Sequence, residues 1–277
     1  MTETPNAAQA IYWNEGAGPT WAAMNGPLDR QLEPLGRAAM AALALQPGDA
    51  VLDIGCGAGT TTLELAAAVT PGGSALGLDI SATLLEVANR RSVGVAGVSF
   101  LQADAQTHAF TPASADALFS RFGVMFFADP PAAFANLRRA LKPGGRLAFV
   151  CWRKPEENPL MTLPMAAALA HVPPPPPPEP GAPGPFAFAD PERVRGILGD
   201  AGFRDIALTP HDEAVGGGDL DTSLELALKV GPLGGLLREH PDKRDAVIGS
   251  VRAALAPFEG PDGVKLASAT WIVTARA

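Results

Sequence analysis

From Val51 to Thr60 the chain reads Val-Leu-Asp-Ile-Gly-Cys-Gly-Ala-Gly-Thr, and this stretch restricts the fold more than any other. An apolar run is followed by glycine at every second position, and Thr60 to Val69 then sets Leu63, Ala66 and Ala67 on one face at helical spacing. The expected local structure is strand, tight turn, helix, the opening unit of an α/β sheet. Glycine is required where the backbone takes a positive φ, or where it lies against a ligand with no Cβ between them. Gly55, Gly57 and Gly59 are therefore expected to clear side chains from one edge of a crevice at the strand's carboxyl end.

The spacing rules out two familiar phosphate cradles. A dinucleotide-binding turn, G-x-G-x-x-G, needs its third glycine where Thr60 stands, and a frame started at Gly57 meets Thr62 instead. A P-loop needs a Lys followed by Ser or Thr to close it, and none is present. Asp53, two residues before the first glycine, would repel a pyrophosphate but attract an ammonium group, directly or through water. The ligand end beside Asp53 is thus expected to be cationic.

An acidic residue followed by G-x-G-x-G resembles the first motif of the class I S-adenosylmethionine-dependent methyltransferases, and the segments that follow come in the order this family has. Gly72-Gly73 ends the first helix, and Ser74 to Ile80 reads as a second strand with Asp79 near its end, where a carboxylate can accept both ribose hydroxyls. Ser81 is placed to cap a helix carrying Leu84, Leu85 and Ala88. Val98 to Leu101 reads as a third strand before Gln102-Ala103-Asp104-Ala105. Asp116 to Phe122 is a fourth strand, and Leu137 to Trp152 contains a helix end, the Lys142-Pro143-Gly144-Gly145 turn and a fifth strand. The similarity is close over roughly residues 45 to 155 and holds only in outline beyond.

The resemblance implies a Rossmann-like α/β fold: seven strands, mostly parallel with the last antiparallel, and helices on both faces. It implies S-adenosylmethionine as cofactor, held by Asp53, Gly55, Cys56, Gly57, Gly59, Asp79, Ile80, Asp104 and Ala105, with Asp104 on the adenine amino group and the next backbone N–H on the ring. Ser120 and Arg121 should face the methyl group or the cofactor tail, although an Arg121 paired structurally with an acid fits the sequence nearly as well. Tyr12, Trp13 and Trp21 offer aromatic faces to the sulfonium as cation–π partners, or else pack an N-terminal helix. Phe122 and Met125, with Phe126 and Phe127, suit either an apolar acceptor wall or a helix docking on the sheet. His108 and Tyr12 are the candidates for catalysis; His108 could serve as a general base or be an ordinary loop histidine.

Residues 1–44 read as an N-terminal helical cap and 45–277 as the catalytic core, with lid insertions at about 155–190 and 212–262. After the fifth strand come a Met/Leu/Ala-rich helix from Asn158 to Ala170, a polyproline spacer from Pro173 to Pro178 extended by Glu179-Pro180, and a helix started by Asp190-Pro191. Phe203 to Thr209 is the expected sixth strand, Leu220 to Arg238 and Lys243 to Leu255 are expected helices, and Val264 to Arg276 is the last strand.

A net charge of −8 and a pI near 5.0 oppose a polyanionic partner, so nucleic acid is not expected as substrate. The pairs Arg90-Arg91 and Arg138-Arg139 read as solvated helix ends. No basic leader or membrane-length apolar run appears, which leads to the expectation of a soluble cytoplasmic protein with no membrane partner. Cys56 and Cys151 form no metal spacing, and no metal is expected. The activity implied is methyl transfer to an O, N or C nucleophile of a small, partly apolar molecule, with a homodimer left open. The rivals are a cofactor-binding regulator without turnover and, disfavoured by Thr60, a nicotinamide oxidoreductase.

Overall fold

The structure, a computed structural model, describes residues 5–177, 179 and 181–277. Pro178 and Pro180 of the proline spacer lie outside the described residues. The chain opens with α1 (Ala7–Ile11), a π-helical turn (Tyr12–Gly16), α2 (Gly18–Ala23) and α3 (Asn25–Ala42). There follow β1 (Ala50–Ile54), α4 (Thr60–Ala68), β2 (Ser74–Asp79), α5 (Ala82–Arg91), β3 (Val98–Gln102), β4 (Ala115–Arg121), α6 (Pro130–Ala140) and β5 (Leu141–Trp152). The second half contains α7 (Pro159–Ala168), α8 (Pro191–Asp200), β6 (Arg204–Val215), α9 (Leu220–Lys229), α10 (Pro232–Glu239) and α11 (Arg244–Leu255). A two-residue hairpin, β7 (Glu259–Gly260) and β8 (Gly263–Val264), leads into β9 (Leu266–Arg276).

Seven strands form one sheet in the order β3-β2-β1-β4-β5-β9-β6, with β9 antiparallel to both of its neighbours and the other six parallel. Chain order reverses direction at β1, which pairs with β2 on one side and β4 on the other. Right-handed crossovers on either side of such a reversal send their helices to opposite faces, and a crevice opens at the carboxyl ends of β1 and β4. The sheet core is dry and aromatic: Phe134 contacts Phe127, Phe149, Phe188 and Phe203, all of them buried. Each such side chain contributes roughly 1.5–3 kcal/mol on burial.

Two expectations about the elements need correction. The sixth strand runs on to Val215 rather than stopping near Thr209, pairing residue by residue with β9 from Ala207↔Thr274 to Val215↔Leu266. Pro210 is tolerated inside it because β6 is the sheet edge, where a missing N–H breaks no second ladder. The helix expected from Leu220 to Arg238 is two helices, because Gly231 at φ 76 turns the chain before α10. Helices α7, α9, α10 and α11 share a hydrophobic cluster of their own that includes Leu224, Leu228, Leu236, Val247 and Val251. A smaller cluster joins Leu226 of α9 to Met24 and Leu28, with Trp21 and Val230 against it. No described helix is long and apolar enough to cross a membrane.

Candidate functional site

A cavity of about 290 Å³ lies at the carboxyl ends of β1, β2 and β4 and extends under α7 and α9. One half is walled by the glycine loop, Asp79, Ile80, Asp104 and Ala105, and the other by apolar side chains.

The three loop glycines all have positive φ, at 68°, 55° and 82°, but they meet different neighbours. A Cβ on Gly55 would stand 2.7 Å from the Gly123 Cα, so this glycine lets the loop after β4 lie against β1. A Cβ on Gly59 would strike Phe100 and Ala88, at 2.7 and 2.8 Å. Only a Cβ on Gly57 would enter open space. The expectation that all three glycines clear the crevice is corrected on this point: Gly55 and Gly57 both line the cavity, but only at Gly57 does the missing Cβ leave open space, while Gly55 also admits Gly123 and Gly59 serves side-chain packing off the wall.

Asp79, at the end of β2, is buried and faces the cavity. Its Oδ2 accepts from the Gly57 N–H at 2.7 Å and its Oδ1 from the Ser81 N–H at 2.8 Å. Burial raises its pKa, and the backbone donors of Ser81, Gly57 and Ile80 offset part of that rise. A carboxylate has about four acceptor positions, so acceptor capacity remains for a ligand's hydroxyl.

Asp53 lies deeper. It is fully buried, and its Oδ2 accepts from the hydroxyls of Thr61 at 2.6 Å and Thr62 at 2.7 Å, both on α4. Its Oδ1 has no partner. Desolvation pushes its pKa up to about 6 against the opposing hydroxyl bonds. The side chain does not reach the cavity wall, so any attraction it exerts on a cation acts through the loop or through water.

Asp104 lines the cavity beyond β3. The Asn6 amide donates to both of its oxygens at 3.0 Å, and the Gln106 N–H donates to Oδ1 at 2.9 Å. Ala105, Ile80 and Cys56 line the same half, and the Cys56 thiol is held neutral, its pKa raised by burial first and then by Asp79 and Asp53.

Other sequence candidates lie elsewhere. The Ser120 hydroxyl is buried, donating to the Ile54 carbonyl at 2.7 Å and accepting from the Gly123 N–H, so it fastens β1 to the loop after β4. His108 packs its ring edge-on against Phe110 and is not on the cavity wall. Tyr12 is 41% exposed and also absent from the wall; its neighbour Trp13 lines the cavity, in edge contact with Trp21 and Phe126.

Arg121 reaches the wall paired to Asp29 of α3 at 2.8 Å, the structural pairing that the sequence left as an alternative. The same Asp29 carboxylate binds Arg91 at 3.1 Å and the Thr60 hydroxyl. Arg91, read from sequence as a solvated helix end, also donates to the Ala58 carbonyl at 3.1 Å and the Thr60 Oγ1 at 2.7 Å. It ties the end of α5 to the glycine loop. Trp13 belongs to the N-terminal aromatic set that the sequence singled out, whereas Asp29 and Asn6 carry no spacing signal and were not legible as site residues.

The apolar half begins at Phe122, whose backbone is left-handed at φ 62, an unusual state for a bulky residue and one that aims its side chain away from the strand direction. Its ring stacks on Trp152 with centroids 4.2 Å apart and planes at 12°. Met125, Phe126, Met161, Met165 and Leu226 continue this wall. Arg121 is the one cationic side chain among the described lining residues.

Residues 52–149 match the family model described as a methyltransferase domain. The chain is similar to the ubiquinone/menaquinone biosynthesis C-methyltransferase UbiE of Ectopseudomonas mendocina, 38% identical over 42% of this chain and 46% of that protein. It is also similar to the 2-phytyl-1,4-naphtoquinone methyltransferase of Trichormus variabilis, 32% identical over 42% of this chain and 52% of that protein. The chain thus spans about half the length of these curated relatives. Among solved structures, YcgJ of Bacillus subtilis superposes with a TM-score of 0.57 at 19% identity, covering 88% of this chain and 97% of that one, which shows the shared fold.

Proposed function

We propose that this chain, whose residues 52–149 match a methyltransferase domain, is a class I S-adenosylmethionine-dependent methyltransferase that transfers a methyl group to a small apolar, ring-bearing molecule. One observation carries the reading: a single cavity joins a half suited to an adenosyl sulfonium to a half walled by aromatic and thioether side chains.

The residues present fit the cofactor. Gly57 leaves open the volume that a Cβ would fill, and Asp79 retains acceptor capacity for a ribose hydroxyl. The cofactor, when bound, supplies an electrophilic methyl group on a sulfonium that is already a good leaving group. Asp79 then fixes the ribose, Asp104 the adenine edge, and the buried charge of Asp53 favours the cationic end. Trp13 and Trp21 and the stacked pair Phe122 and Trp152 exclude water and hold the acceptor for in-line attack. Alignment and desolvation of this kind can supply much of the acceleration without a dedicated base.

The lining also separates acceptor classes. A phosphorylated acceptor would need a free cation, and Arg121 is engaged by Asp29. An uncharged ring suits the Phe122, Met125, Met161 and Met165 wall, which agrees with the quinone-pathway names of the curated relatives. Titration calorimetry with S-adenosylhomocysteine, followed by transfer of labelled methyl to a panel of hydroxylated aromatic and quinone-type acceptors, tests the reading. Micromolar binding with turnover on the apolar panel is the expected result. Tight binding with no turnover on any acceptor would favour a regulator instead.

A further inference from the structure

The cavity's adenine end is covered by the chain's own N-terminal arm, and the contact is chemically specific. Asn6 is buried, with a left-handed backbone at φ 63. Its amide nitrogen donates to both oxygens of Asp104 at 3.0 Å and lies 3.1 Å from the Gln106 Oε1, while its carbonyl oxygen accepts from the Ala128 N–H at 2.7 Å. The orientation of the carboxamide is set by its partners, since a carboxylate demands a donor and an N–H an acceptor. With the Gln106 N–H on Oδ1 and the Thr107 hydroxyl 3.3 Å from Oδ2, all four acceptor positions of Asp104 are engaged.

Two more ties fasten the arm to the same rim. The Ser81 hydroxyl donates to the Trp13 carbonyl at 2.7 Å. Asn14 donates to the Ile80 carbonyl at 3.1 Å and accepts from the Ala82 N–H at 2.9 Å. The arm therefore crosses the carboxyl ends of β2 and β3 and reaches the loop after β4. The π-helical turn at Tyr12–Gly16 carries the Trp13 and Asn14 ties, and α1 joins it to the Asn6 latch.

We propose that residues 5–17 form a strap whose latch is the Asn6 carboxamide on Asp104, and that the strap must release this latch before a purine amino group can take the carboxylate. The inference rests on the adenine assignment of Asp104. An exocyclic amine and the Asn6 amide are donors of the same kind competing for the same oxygens, so the latched chain presents the adenine end with no acceptor to offer. Asn6 is thus a positioning residue for cofactor exchange, acting through Asp104.

The test uses the full chain, S-adenosylhomocysteine, and its 6-oxo analogue S-inosylhomocysteine, which lacks the amino donor. Asn6→Gly removes the carboxamide and suits the left-handed backbone; Asn6→Asp sets a like charge against Asp104 and serves as a second variant should the first fold poorly. The expected result is S-adenosylhomocysteine binding at least fivefold tighter in both variants, a wider adenosyl-over-inosyl preference, and faster hydrogen exchange at the Ala128 amide. Unchanged or weaker binding in the variants, with normal binding by the parent chain, would overturn the latch while leaving the methyltransferase reading intact. Absence of binding by parent and variants alike would overturn both. If Asp104→Asn leaves the adenosyl preference unaltered in the Asn6→Gly background, the adenine assignment falls, and the latch falls with it.

Discussion

Asp29 of α3 meets Arg121 at the end of β4 at 2.8 Å, and through its other oxygen it holds Arg91 and Thr60 beside the glycine loop. A residue ahead of the first strand is thereby part of the cavity wall. Asp29→Ala leaves Arg121 unpaired in a mostly buried place and should cost about 2 kcal/mol, below the range for a fully buried pair because both partners keep some solvent contact. Urea denaturation measures it. The double variant with Arg121→Ala should recover part of the loss, since the stranded charge is then gone.

The glycine loop separates packing from binding. Gly57→Ala places a methyl in open space at a positive φ, so stability should fall by only about 1 kcal/mol while S-adenosylhomocysteine affinity drops at least tenfold. Gly59→Ala drives a methyl into Phe100 and Ala88 and should lower the melting temperature far more. Equal effects of the two substitutions on binding and stability would contradict the division.

Asp79→Ala removes the acceptor for the Gly57 and Ser81 N–H groups as well as the ribose partner. Affinity for S-adenosylhomocysteine should fall by about 2 kcal/mol or more, the scale of lost bonds to a charged group. His108→Ala should leave binding and turnover near those of the parent, because the ring packs on Phe110 away from the cavity. Calorimetry on both variants, with turnover measured for the second, separates the roles.

What could be read in advance follows from how local each signal is. The strands from Val51 to Trp152 and the place of Asp79 rest on periodicity and turn chemistry within a few residues, and the structure has them there. Asp29 and Asn6 reach the cavity only because α3 and the N-terminal arm fold back over the sheet, and no spacing in the sequence records that return. The glycines show the intermediate case. Their positive φ was legible, but the objects opposite them, Gly123 for one and Phe100 for another, are tertiary neighbours. Phe122 was expected as acceptor wall, yet its left-handed backbone and its stack on Trp152 depend on a contact thirty residues away in sequence.

The pH dependence follows from Asp53. Its pKa in the fold is about 6, against an ordinary value near 3.8. Between those values the folded chain holds more protons than the unfolded chain, so stability falls as pH rises through that window and the ligand-free protein should gain stability on acidification from pH 7 towards 5. Asp79 is raised as well, so Asp53→Asn should flatten this slope in part rather than abolish it. Ligand binding should run the other way. A cationic group near the glycine loop favours ionised Asp53, so S-adenosylhomocysteine should bind about tenfold more weakly at pH 5 than at pH 7. The ligand's own carboxyl and amino groups titrate outside this window. Melting curves and calorimetry across pH 4.5 to 7.5, on the parent chain and on Asp53→Asn, read both slopes. An affinity independent of pH in the parent chain would show that the buried carboxylate exerts no pull on the cationic end, and would leave its unpartnered Oδ1 a feature of packing alone.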